Sequence, residues 1–140
     1  MKKTAHEFKG GWGKIIIEAP TQKAAKNALQ SFKNKILYLT VHKQAFDAMV
    51  TGEKQKEFRK PTKWILSRLY KKDGELKQFD FVKISNGYQK NSPYFIAEFK
   101  GLEVNEIHNF LYYLDGLEVE IFPGDLVLLI GKIIERKHCV

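Results

Sequence analysis

ILYLTVHKQAFDAMVTGEKQKEFRK, residues 36–60, is the stretch on which the architecture turns. Ile36 to Val41 is rich in β-branched and aromatic side chains and reads as a buried strand. Behind it, Phe46, Met49 and Val50 fall on one face of a helix beginning near His42. Gly52 is suited to end that helix, since glycine enters the left-handed region without a Cβ penalty. From Gln55 the period changes. Lys56, Phe58 and Lys60 alternate with Gln55, Glu57 and Arg59, which predicts an extended strand with Glu57 and Arg59 on one face. Pro61 stops it.

The second half of this stretch, TGEKQKEFRK, packs four cations and two carboxylates into ten residues. Charges after a helix form a wetted loop in many proteins, and lysines there suit the negative end of the helix dipole. The flanks argue for more than that. A strand with Phe58 on one face and Glu57 and Arg59 on the other is half buried, and buried charges are tolerated when paired. Glu57 and Arg59 can support each other and leave one edge free to grip a ligand.

Outward from this segment, Thr62 caps a short helix over Lys63 to Tyr70 with Ile65 and Leu69 inward. FDFVKI (79–84) and YFIAEFKGLEV (94–104) form a hairpin with a polar tip, turning at Asn86 and Gly87. NEIHNFLYYLDG (105–116) fits a short helix or a loop. LEVEIF (117–122) turns at Pro123, Gly124 and Asp125 into LVLLIGKIIE, a second hairpin. Residues 1–34 read as an N-terminal extension, one short strand around Ile15 to Ile17 and a basic helix bearing Ala25, Leu29 and Phe32, with Trp12 set among glycines as a clamp. Residues 35–140 are the main domain. The element order predicts an α+β fold around a small, strongly bent sheet or open β-barrel, with two or three short helices.

Composition narrows the function. The chain has 140 residues, 44% of them hydrophobic and 13% aromatic, enough to build a core without disulfides. Its lone cysteine, Cys139, fits a reducing compartment, and no apolar run is long enough for an export or membrane-spanning segment. A soluble cytoplasmic protein is expected. The four histidines, His6, His42, His108 and His138, match no ligand spacing, so neither metal nor cofactor is expected. A net charge of +8 points to an anionic partner. The charge is also segregated: residues 54–72 carry eight Lys or Arg against Glu57, whereas residues 101–131 carry six acidic residues and no Lys or Arg.

Gly52, Lys54, Glu57 and Arg59 match all four fixed positions of G-x-K-x-x-E-x-R, and with the preceding strand and helix the segment resembles the signature of the ASCH family, the activating-signal-cointegrator homology domains. The resemblance in layout covers about residues 35–137. FVKISNGYQKNSPYFIAEFKGLEV is similar to the central hairpin of the family's phage and bacterial branch, which brings in Asn86, Gly87 and Tyr88. The resemblance implies a PUA-like β-barrel and a cleft holding the Lys, Glu and Arg that binds RNA or a nucleotide. It also implies that some members are enzymes, amidohydrolases on acetylated cytidine or ribonucleases. In the amidohydrolase branch a Thr lies three residues after the Lys, where this chain has Glu57.

The expected ligand-binding set is therefore Lys54, Lys56, Glu57, Arg59, Asn86, Gly87 and Tyr88, with RNA, a nucleotide or a nucleoside as partner. Lys54 would hold a phosphate or polarise a carbonyl as a positioned ammonium. A hydrolase using Lys54 and Glu57 as acid and base is the alternative. A protein-interaction module whose acidic side, Glu103 to Glu120, docks a basic partner is a further one. Trp64, Tyr88, Tyr94, Tyr112 and Tyr113 are the aromatic candidates for base stacking.

Overall fold

A computed structural model describes residues 2–10 and 13–138 of the chain. Trp12 and Cys139 lie outside the described residues. The chain divides into two compact units, 1–36 and 37–140.

The first unit holds two strands, β1 (Thr4–Gly10) and β2 (Gly13–Ala19), and helix α1 (Gln22–Asn34). The strands pair antiparallel, Thr4 opposite Ala19 through Gly10 opposite Gly13. One strand was expected here and two are found. Charged residues at every other position of HEFKG conceal a strand that buries only part of His6 and Phe8, and a half-buried strand gives a weak alternation signal. Thr21 caps α1, its Oγ1 accepting from the Ala24 N–H at 3.1 Å.

The second unit is a mixed α+β body. Seven strands follow one another with two helices among them: β3 (Ile36–Val41), α2 (Lys43–Val50), β4 (Lys56–Arg59), α3 (Lys63–Leu69), β5 (Phe81–Asn86), β6 (Tyr94–Val104), β7 (Asn109–Tyr112), β8 (Glu118–Ile121) and β9 (Leu126–Lys137). Five of the strands form one sheet in the order β3-β5-β6-β9-β4, curled into a half-barrel. The curl has a local cause. Strands β6 and β9 pair antiparallel with register shifts between Ile96 and Ala97, Ala97 and Phe99, and Phe99 and Gly101, and bulges bend the strand that carries them. Gly101 takes φ +127° there, a conformation closed to residues with a Cβ.

Two expectations for the second half are corrected. Residues 109–112, expected in a helix or loop, form β7, and β8 pairs with β7 rather than with β9. Over Leu126 to Leu129, where a hairpin with β8 would begin, β9 is already paired with β6 on one side and β4 on the other. Asp115 and Gly116, the latter at φ +90°, make the turn that folds β8 back on β7 instead. Phe110 to Leu114 is an unbroken apolar run with no alternation, so periodicity does not separate a strand from a turn of helix there.

The core packs residues of the five-stranded sheet against the inner faces of α2 and α3. Phe95, Ile84, Val82 and Leu128 of the sheet are fully buried with Ile65 and Leu69 of α3. Phe46 of α2 meets Phe95 with ring centroids 5.5 Å apart. The sequence pattern foresaw these helix faces: the residues of α2 and α3 that point inward are those at helical spacing.

Candidate nucleic-acid interface

The site begins at the end of α2. Gly52 turns the chain at φ +87°, its N–H donating to the Met49 carbonyl at 3.0 Å. The Lys54 N–H then donates to the Ala48 carbonyl, also at 3.0 Å, so the peptide of Lys54 is pinned against the helix it has just left. This directs the Lys54 side chain into the protein, where only 2% of the residue is exposed.

Strand β4 delivers the other two members. It pairs with β9 from Lys56 opposite Leu129 to Arg59 opposite Leu126, which fixes its faces and turns Glu57 inward, 8% exposed. The Lys54 Nζ donates to Glu57 Oε1 at 3.1 Å and to the Lys56 carbonyl. The other carboxylate oxygen, Oε2, accepts from Arg59 Nε at 3.1 Å and from Nη2 at 2.9 Å. Arg59 Nη2 also donates to the Thr40 carbonyl at 2.9 Å. One carboxylate thus joins two cations.

The Arg59–Thr40 contact has a consequence for the fold. Strands β3 and β4 are the two edges of the five-stranded sheet, and the guanidinium of one reaches the backbone of the other. The half-barrel is closed by a side chain where no strand pairing closes it. At this seam the surface is concave: a cavity of about 620 Å³ is walled by Thr40, Lys54, Glu57, Arg59, Gly87 and Tyr88, with Leu117 and Val119 on its apolar side. That volume lies within the range of small-ligand sites.

Burial holds the Lys54 ammonium below the ordinary lysine value, against the attraction of Glu57, with Arg59 adding to the depression. The rings of Phe58 and Tyr113 stand 5.7 Å and 5.9 Å from its nitrogen. Burial also raises the Tyr113 hydroxyl, and the Glu53 and Glu57 carboxylates push it the same way. With two of its three ammonium donors held and its carboxylate partner fully engaged, Lys54 is a fixed positive charge with a rigid address.

Of the seven residues expected to bind ligand, Lys54, Glu57, Arg59, Asn86, Gly87 and Tyr88 line this one cavity. Lys56 does not. Strand alternation puts its side chain on the opposite face, beside Glu103 and Val104, and only its carbonyl serves the site. Asn86 ends β5 and Gly87 turns at φ +104°, which leaves Tyr88 standing 93% exposed on the rim. Among the other aromatic candidates, Tyr94 is buried and Tyr112 exposed away from the cavity walls, while Trp64 is 51% exposed.

Sequence reasoning missed Thr40, which serves through its backbone, and Leu117 and Val119, whose segment was placed in the wrong hairpin. Neither a backbone carbonyl nor a contact across 60 residues leaves a local signal. Among the described residues, no group of three or more His, Cys, Asp or Glu is placed to hold a metal ion, and no helix is long and apolar enough to cross a membrane. No protein-family model, curated protein or solved structure matches the chain.

Proposed function

We propose that this protein is a PUA-like domain of the ASCH type that binds RNA or a nucleotide at the seam of its half-barrel. The observation that carries the reading is the Lys54–Glu57–Arg59 cluster. Two cations locked through one carboxylate form the wall of a cavity large enough for a nucleoside. Arg59 donates to Glu57 and Thr40 through Nε and Nη2, so the Nη1 side of the guanidinium is the part that engages a phosphate or a base edge. Glu57 orders the two cations. The apolar wall suits a base, and the net charge of +8 draws a polyanion toward the site.

The test removes all three charges at similar volume, as Lys54→Met/Glu57→Leu/Arg59→Met. Replacing a buried ion cluster by apolar residues is commonly neutral or stabilising, whereas removing one member strands the others. Folding is checked by thermal melting. Each lost charge-assisted contact is worth about 1.5–3 kcal/mol, so affinity for short single-stranded RNA is expected to fall about ten-fold or more. The wild-type affinity is expected to drop steeply with salt. A folded triple variant that binds RNA as tightly as wild type would refute the assignment.

One observation favours a second, catalytic reading: burial at a cavity wall holds the Lys54 ammonium below its ordinary value, which makes it a better proton donor than a solvated lysine. Incubation with acetylated cytidine and with RNA, followed by mass spectrometry, decides it. Product that forms with wild type and disappears with the triple variant, shown to be folded by thermal melting, establishes a hydrolase working at this site. Both oxygens of Glu57 are occupied, however, which makes it an organiser before a base.

A further inference from the structure

A second cavity, of about 520 Å³, adjoins the first. The two share Thr40, Arg59, Gly87 and Tyr88, so the Arg59–Thr40 bridge is a partition with a hollow on each side. The walls of the second hollow differ from those of the first. Trp64 and Arg68, one helical turn apart on α3, stand on its far side with the guanidinium carbon 4.9 Å from the indole centroid. Half the tryptophan is nevertheless exposed.

We propose that the site reads two consecutive nucleotides of a single strand, one base entering the Lys54 compartment and its neighbour stacking on the Trp64–Arg68 platform, with the phosphate between them on Arg59. This rests on the nucleotide-binding reading above and extends it from a mononucleotide to an oligonucleotide. The chemistry of each part fits. A flat indole backed by a guanidinium offers a stacking surface that any base can use, with a positive charge beside it. The partition carries the one guanidinium common to both hollows, where the linking phosphate of two splayed nucleotides would lie. Tyr88 stands at the shared rim, on the path from one compartment to the other. Two concave compartments admit unstacked bases and not the stacked edges of a duplex.

The experiment is calorimetry on the full chain with RNAs of one, two and four nucleotides, each base in turn, alongside single-stranded DNA and duplex RNA of matched sequence. The length gain is the ratio of mononucleotide to tetranucleotide Kd. In wild type it is expected to be about ten-fold or more, the worth of one base stacked on an aromatic ring. It should collapse toward one in Trp64→Ala, recover in Trp64→Phe, and shrink with a shallower salt dependence in Arg68→Ala. Duplex RNA should bind more weakly than the single strand. Equal affinity of single-stranded DNA would keep the two-compartment site and remove any role for the ribose 2′-hydroxyl. A mononucleotide that binds with no gain for longer strands, a gain that survives Trp64→Ala, or a duplex that binds equally well would overturn the second compartment alone. No binding by any of these probes would overturn the nucleotide-binding reading and this extension together.

Discussion

At the scale of single residues, Lys54 holds its charge at a cost. Its folded-state pKa lies below the ordinary 10.5 because burial disfavours the ammonium, so the unfolded chain binds the proton more tightly than the folded one. The sign follows from linkage: where the unfolded state holds more protons, stability rises with pH. The penalty is therefore present at neutral pH and is relieved as pH climbs from the folded value toward 10.5. The stability of wild type relative to Lys54→Met, measured by urea denaturation, is expected to increase as the pH is raised toward 10.5. At pH 7 the single Lys54→Met change is itself expected to destabilise by about 3–5 kcal/mol, because it leaves Glu57 buried with half its partners gone. A flat pH profile of that difference would show that the lysine is charged and unstrained where it sits. Glu57, Arg59 and Lys54 were legible in the sequence as a cluster because three side chains within six residues share one turn and one strand. The position of Lys56 outside this cavity was legible too, since alternation already placed it on the other face.

At the scale of elements, the turn that launches β9 is held by one buried carboxylate. Asp125 accepts from the Phe122 N–H at 2.8 Å and from Lys60 Nζ at 2.7 Å, and Gly124 makes the turn at φ +92°. Burial pushes the Asp125 carboxyl up, but the hydrogen bonds from Lys60 and Phe122 outweigh it and hold the pKa below its ordinary value. A depressed carboxyl contributes stability that is complete above its unfolded pKa and is lost as pH falls through the folded one. Asp125→Ala strands a backbone donor and is expected to cost about 1–3 kcal/mol, read as a lower denaturation midpoint. An unchanged midpoint would mean that the turn is held by its glycine and proline alone. The PGD turn was legible because its residues have local conformational preferences. The partner of the strand before it was not: β8 goes to β7 because the start of β9, Leu126 to Leu129, is already paired with β6 and β4, a fact about neighbours far away in the chain.

At the scale of the whole molecule, every buried member of the main hydrophobic cluster lies between Leu37 and Ile130. Residues 35–140 expressed alone are accordingly expected to melt in one cooperative transition by circular dichroism, and a chain that fails to do so would show that the core depends on residues 1–34. The sequence by itself determined which segments are strands and helices wherever the apolar pattern was clear, where α2 and α3 turn their apolar faces, and that a lysine, a glutamate and an arginine lie close together. These are consequences of local periodicity and of backbone preferences, both written in neighbouring residues. A strongly bent sheet was expected from the element order, but only the tertiary structure decided that β3 and β4 are its two edges, that Arg59 spans the gap between them to Thr40, and that hollows open on both sides of that bridge. Those features depend on bulges between β6 and β9 and on contacts between residues far apart in sequence. The energy of such contacts depends on distance in space, and no local pattern of residue types encodes it.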